Sequence, residues 1–298
     1  YLKLTSSEID ALFRDLLIGV TNFFRDSEIF DEIQKQVIPQ LFTGKAAGSP
    51  IRVWVPGCSS GEEAYSIAIL LQERMEELNA RFRVQVFATD IDRHAIEQAR
   101  TGIYPASIVA DVSPERLAHF FSEEHPDGGS YRIHKTIRDM LVFSEHDLIK
   151  DPPFSKLDLI SCRNLLIYIS AELQKRLIPL FHYALNPGGM LVLGSSETVG
   201  EFTNLFAALD RKAKIYQRRA GSPGAHRVGI AALLPQTPRD GTVPQAGSAA
   251  LSEKRLPLHE IAGRTLLAHY SPVGALINEH GDILYLLGRT GRYLEPTP

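Results

Sequence analysis

Cysteine is scarce in this chain: Cys58 and Cys162 are the only two in 298 residues. They lie far apart, with no Cys-x-x-Cys pair and no Cys/His cluster. A zinc ribbon and a disulfide framework are thereby excluded, and a reducing, cytoplasmic setting fits. An excess of charge of one sign is also lacking. Thirty-two Lys and Arg stand against 35 Asp and Glu, a formal net charge of −3, so nothing suggests a bulk nucleic-acid binder. No apolar run approaches the ~20 residues that a membrane helix needs, and no signal peptide is evident. A phosphate-binding Gly-Lys-Ser/Thr loop is missing, as is the G-x-G-x-x-G dinucleotide fingerprint. What the chain does have is core: 44% of it is hydrophobic, and its length suits a full α/β domain plus something smaller. It begins at Tyr1 rather than Met, which reads as a piece of a longer protein.

The first fifty residues read as helical. "TSSEIDALFRDLLIG" offers Ser6 or Ser7 as a cap and an apolar face of Ile9, Leu12, Phe13, Leu16 and Leu17. After "VTNFFRD", a second helix carries Ile29, Phe30, Ile33, Val37 and Leu41. From Arg52 strands and helices alternate, which predicts a doubly wound, mostly parallel α/β sheet. The expected strands are Val53–Val55, Val84–Thr89, Met140–Ser144, Leu157–Cys162 and Met190–Gly194. A helix over Ala171–Leu185 carries Pro179, which should bend it. "NPGG" at Asn186–Gly189 reads as a tight turn. Residues 102–139 break the alternation and read as a small helix-plus-hairpin insertion. Residues 220–256, rich in Gly, Pro, Ala, Ser and Gln, read as a linker. Beyond it, strand-like runs resume around a His280-Gly281 turn, and about forty residues are too few for an ordinary independent core.

The chemistry concentrates in a few loops. "RVWVPGCSSGEEAYSIAILLQE" takes an apolar strand through Gly57 and Gly61 into a helix that opens with Glu62 and Glu63. Unpaired N–H groups at a helix start usually attract an anion, yet here two carboxylates already stand there. A cationic, phosphate-free ligand such as S-adenosylmethionine (SAM) explains them; so does simple complementation of the helix dipole. "VQVFATDID" ends in Asp90 at the carboxyl end of a strand, where open α/β sheets bind ligands, and an acid there accepts from both ribose hydroxyls. Asp92 reads as a solvated loop acid. Asp147, in "FSEHDL", stands where an adenine edge would lie. "DPPF" at Asp151–Phe154 matches the tetrapeptide of amino-group DNA methyltransferases, but it precedes its strand instead of following it and reads as a turn. "DLISCRNLLIY" empties a buried strand onto Arg163, Asn164 and Tyr168, with Tyr168 either a site residue or core. Phe23 and Phe24 read as packing, and Arg25 beside them as a cation in need of a partner.

Five stretches in order, "VTNFFRD", "GCSSGEEAYSIA", "FATDIDRHAIEQARTGIY", "DLISCRNLLIYIS" and "LNPGGMLVLGSSE", resemble the CheR-type methyltransferases. These esterify glutamate side chains of bacterial chemoreceptors with SAM, leaving S-adenosylhomocysteine (SAH). The resemblance spans roughly residues 1–219. It implies a class I SAM-dependent methyltransferase fold with a Rossmann-like sheet, an N-terminal helical segment (1–50) and a small β-insertion. It also implies roles. Thr21 and Arg25 match the SAM and active-site positions of the "T-x-F-F-R" motif. Glu63, with Glu62 beside it, matches the acid that holds the methionine ammonium, and Asp90 matches the ribose ligand. Asp147 and Leu148 stand where other members have an Asn-Leu pair against the adenine. Arg163, Asn164 and Tyr168 match "C-R-N-x-x-x-Y" near the reacting methyl.

The tail, "ILYLLGRTGRYLEP", resembles the opening of the PAS-type segment of methylesterase–methyltransferase fusion proteins, which makes residues 257–298 the start of such a domain. The implied partners are chemoreceptor cytoplasmic domains and the other domains of the parent fusion. Arg132, His134, Lys135 and Arg138 of the insertion either dock a receptor segment or form a solvated strand face. A SAM- or SAH-sensing module without transferase activity is the rival reading. A small-molecule or nucleic-acid methyltransferase is another, and the acidic balance counts against nucleic acid.

Overall fold

The computed structural model describes residues 19–124 and 129–220, together with the backbone of 274–277 and 283–287. The helix expected before residue 19 lies outside the described residues. Ser27–Glu32 (α1) and Ile38–Phe42 (α2) are joined by a π-helical turn at Ile33–Val37. Pro39 accounts for the interruption: it has no N–H to donate to the preceding turn, and the ladder widens just before it. The expected face of Ile29, Phe30, Ile33, Val37 and Leu41 is buried throughout.

Strands and helices then alternate as β1 (Pro50–Pro56), α3 (Glu62–Glu77), β2 (Arg83–Asp90) and α4 (Arg93–Thr101). The insertion follows as β3 (Ile103–Pro105), α5 (Pro114–Phe120), β4 (Phe121–Glu123), β5 (Ser130–Ile133) and α6 (Lys135–Arg138). The alternation resumes with β6 (Leu141–Glu145), β7 (Leu157–Cys162), α7 (Ala171–Ala184) and β8 (Leu185–Leu193). A hairpin of β9 (Phe206–Asp210) and β10 (Ile215–Arg218) closes this unit.

The main sheet has the order β6-β2-β1-β7-β8-β10-β9. Its first five strands are parallel and β10 runs antiparallel to both neighbours. Chain order runs outward from β1 in both directions, so the switch point falls between β1 and β7. Ligands of such sheets bind at the carboxyl ends of the strands beside that point. Both faces are covered. Ile51, Val53 and Val55 pack on the face of Ile67 and Leu71 of α3, while Trp54 packs on the other with Leu177 and Phe181 of α7. Each fully buried side chain of this kind stabilises the fold by roughly 1.5–3 kcal/mol.

The helix α7 runs unbroken through Pro179. "NPGG" lies within β8, but the pairing with β7 passes from Leu157↔Leu185 to Leu159↔Met190. Those four residues bulge out of the ladder, with Gly188 at φ 77°. The insertion is a three-stranded antiparallel sheet of order β3-β5-β4, one strand more than the hairpin expected. A second compact unit comprises Thr237–Pro298, in which β11 (Gly274–Ile277) pairs antiparallel with β12 (Ile283–Leu287). The linker from 221 and the His280-Gly281 turn lie outside the described residues. Among the described residues, no helix is long and apolar enough to cross a membrane.

Candidate active site

At the switch point the carboxyl ends of the strands frame a cleft of about 420 Å³. Gly57, Asp90, Asp147, Leu148, Asn164 and Tyr168 all line it, although they come from four loops spread from Gly57 to Tyr168 in the sequence. β2 pairs with β1 in register as far as Thr89 opposite Pro56 and with β6 as far as Asp90 opposite Glu145, which makes Asp90 the last residue of its strand. Asp90 Oδ2 accepts the Ser59 N–H at 2.7 Å and Oδ1 accepts the Asp92 N–H at 2.9 Å. A carboxylate has about four acceptor sites, so these donors leave it capacity to spare. Burial pushes the Asp90 carboxyl above the ordinary aspartate range, against the pull of the Asp92, Ser59 and Ile91 N–H groups. Asp92 is no idle loop acid: it caps α4, accepting from the His94 and Ala95 N–H groups at 2.8 and 3.4 Å.

Across the cleft, Asp147 spends its carboxylate on its own turn. Oδ1 accepts from the Ile149 and Lys150 N–H groups at 2.9 and 3.2 Å, and Oδ2 pairs with Lys150 Nζ at 3.0 Å. Burial raises its pKa, but these donors outweigh burial and leave it below the ordinary range. The "DPPF" turn belongs to packing: Phe154 stacks on Phe87 with ring centroids 4.5 Å apart and meets Trp54 edge-on. Tyr168 ends a 3-10 turn over Leu166–Tyr168 and is 57% exposed at the cleft mouth, so it is not a core residue.

The remaining expected residues divide. Arg163 is buried behind the cleft. It donates to the Arg25 carbonyl at 2.7 Å and to Asp26 Oδ2 at 2.8 Å, and lies 3.5 Å from Glu63 Oε2 and 5.0 Å from the Phe30 ring centre. Glu63 accepts the Ser161 hydroxyl at 2.7 Å. Burial raises its pKa, opposed by Arg163 and Ser161. The Arg25 guanidinium donates to the Val20 carbonyl at 2.9 Å and also bears electrostatically on Glu63. Glu62 turns instead to the Ser60 hydroxyl, at 2.8 and 2.9 Å. Thr21 is half-buried and lines no part of the cleft.

The glycines serve the protein before any ligand. A Cβ on Gly57 would lie 2.9 Å from Leu165 Cδ2, and one on Gly61 2.9 Å from the Ala99 Cβ; their φ angles are +68° and +97°. Phe23 and Phe24 are core, as expected. In the insertion, Arg132 pairs with Glu124 and Lys135 with Asp139, so two of the four basic residues already have acidic partners. Burial pushes both cysteine thiols up, which keeps them protonated and poor nucleophiles.

One buried acid was not singled out from the sequence. Glu197, the last letter of "GSSE", accepts three backbone N–H groups, from Gly194, Asn164 and Leu166. Its signal was its position, four residues past the end of β8, which by itself carries no chemistry.

Residues 19–215 match the family model described as "CheR methyltransferase, SAM binding domain". The chain is 36% identical over 308 residues to an "Uncharacterized 104.1 kDa protein in hypE 3'region" of Rhodobacter capsulatus, an alignment covering 99% of this chain and 30% of that protein. It is 35% identical over 190 residues to a "Chemotaxis protein methyltransferase" of Borreliella burgdorferi, covering 62% of this chain and 66% of the relative. It is 33% identical over 211 residues to "Chemotaxis protein methyltransferase 2" of Vibrio cholerae, covering 69% and 72%.

Proposed function

Because the chain belongs to the CheR methyltransferase family, with its class I SAM-dependent methyltransferase fold and SAM as cofactor, we propose that it methylates glutamate side-chain carboxylates of chemoreceptor proteins. The observation that carries this reading is Asp90. It is a half-buried acid at the end of β2, with acceptor capacity to spare, lining a cleft of nucleoside size. Those spare lone pairs suit two ribose hydroxyls. The acidic helix start, Glu62 and Glu63, suits a ligand with an ammonium and no phosphate. When bound, SAM supplies a methyl group on a cationic sulfur, open to in-line attack by a carboxylate oxygen.

A glutamate carboxylate, with an ordinary pKa of about 4.3, is already ionised at neutral pH, so the chain needs no general base. Its task is orientation and exclusion of water, which in favourable cases lowers a barrier by about 7–11 kcal/mol. We assign Arg25 to orient the incoming carboxylate. Tyr168, at the cleft mouth, donates a hydrogen bond beside the reacting centre, and Asn164 lines the cleft floor. Among the described residues, β3 and β4 of the small insertion pair only with β5, and their outer edges suit an added strand from a receptor segment. The same reading makes residues 257–298 the opening of a PAS-like segment.

The test is methyl-labelled SAM mixed with the protein and membranes carrying chemoreceptors. Label on a receptor supports the reading. Binding of SAM with no transfer to any of several receptors would overturn it in favour of a sensor module.

A further inference from the structure

We propose that Glu197 is a positioning residue for methyl transfer, holding the Arg163–Tyr168 loop in its working geometry through three backbone N–H groups. The inference rests on the reading of the cleft as a methyltransferase site. Glu197 is only 4% exposed. Its Oε2 accepts the Gly194 N–H at 2.6 Å and the Asn164 N–H at 3.1 Å, and Oε1 accepts the Leu166 N–H at 2.6 Å. The carboxylate thus links the ends of two adjacent parallel strands, β7 and β8, just where they deliver residues to the cleft.

Each oxygen anchors a different part of the loop that carries Asn164 and Tyr168. Oε2 holds the backbone of Asn164, whose φ of +56° is left-handed. That conformation costs an L-residue roughly 1–2 kcal/mol and persists only where the surroundings over-determine it. Asn164 also buries its Oδ1 with no hydrogen-bond partner, a second cost borne at the floor of the cleft. Oε1 holds the first residue of the 3-10 turn that ends at Tyr168. Gly194 supplies independent support. A Cβ there would lie 2.8 Å from both the Asn164 nitrogen and Glu197 Oε2, and the residue has no positive φ to require glycine. What glycine provides at this position is room for the carboxylate to reach the loop.

The substitution Glu197→Gln keeps the shape but replaces one acceptor oxygen by an NH2 facing an N–H, so one of the two anchors is lost. The expected result is a fall in kcat of about 100-fold, the scale of a small misplacement of reacting groups, with SAH affinity by calorimetry within about 3-fold of the unmodified protein, since Asp90 lies on another loop. In a background of Asn164→Ala plus Tyr168→Phe, Glu197→Gln should add less than about 2-fold, because residues acting as a unit are not additive. A full multiplicative loss in that background would mean general structural damage and overturn the proposal, as would an unchanged kcat. Amide hydrogen exchange of the unmodified protein gives a test free of any folding defect. The Asn164 and Leu166 N–H groups should be as protected as those of β7; rapid exchange of either contradicts the anchor. A protein with protected amides and intact SAH binding that labels no receptor would leave the anchor standing and fail only the transferase reading.

Discussion

The buried guanidinium of Arg163 donates to the Asp26 carboxylate at 2.8 Å while Glu63 stands 3.5 Å away on its other side. One cation thus joins the end of β7, the start of α3 and the segment that carries Arg25. Removing the charge strands Glu63 in the interior. Arg163→Met should destabilise the protein by about 3–5 kcal/mol, the scale for breaking a buried pair on one side. Asp26→Asn, at a more exposed position, should cost about 1–2 kcal/mol. Urea unfolding of both variants checks the order; an equal effect would contradict the burial argument.

Arg25 and Tyr168 are assigned to the incoming carboxylate and the reacting centre, not to holding the cofactor. Tyr168→Phe and Arg25→Ala should each lower kcat by about 100-fold, the scale for losing one preorganised donor. Calorimetry should show SAH affinity nearly unchanged. Lost affinity with normal turnover would move both residues to the cofactor side of the cleft.

Asp90 carries the opposite expectation. Asp90→Ala removes two hydrogen bonds to a charged acceptor, each worth about 1.5–3 kcal/mol, and should weaken SAH binding at least 100-fold. The Ser59 N–H also loses its partner, so thermal melting without ligand should be recorded alongside to separate folding from binding.

Burial raises the carboxyl pKa of Glu62 in the folded chain, with the Ser60 hydroxyl pulling the other way. The stability this carboxyl contributes is therefore fully present below the ordinary value of 4.5 and is lost as pH rises through the raised folded value. Glu62→Gln removes that loss. Its melting temperature should exceed the parent's at pH 7, and the difference should disappear near pH 4. A constant difference at both pH values would show that packing, not ionisation, governs the site.

The sheet was legible because strands buried on both faces leave long apolar runs. Leu157–Cys162 matches its expected bounds, and β1 and β2 extend theirs by a few residues. Asp90, Asn164 and Tyr168 were legible as polar residues placed at strand ends, where a parallel sheet gathers its loops. The contacts of Asp147 were not. Its two N–H donors and Lys150 belong to a turn whose closure depends on backbone geometry, and no residue type announces that. The packing role of the glycines was not legible for a related reason: a left-handed φ against a neighbouring side chain and one against a ligand leave the same letter. Glu197 was hidden because its partners are main-chain N–H groups, which have no sequence identity at all.

The central claim is that the product is a carboxyl methyl ester on a receptor. Receptor labelled from methyl-labelled SAM should be treated with mild base and the volatile fraction collected. Release of the label as methanol is the predicted result. Label that stays on the protein in base would mean attachment to nitrogen, sulfur or an ether oxygen, and would contradict glutamate esterification directly.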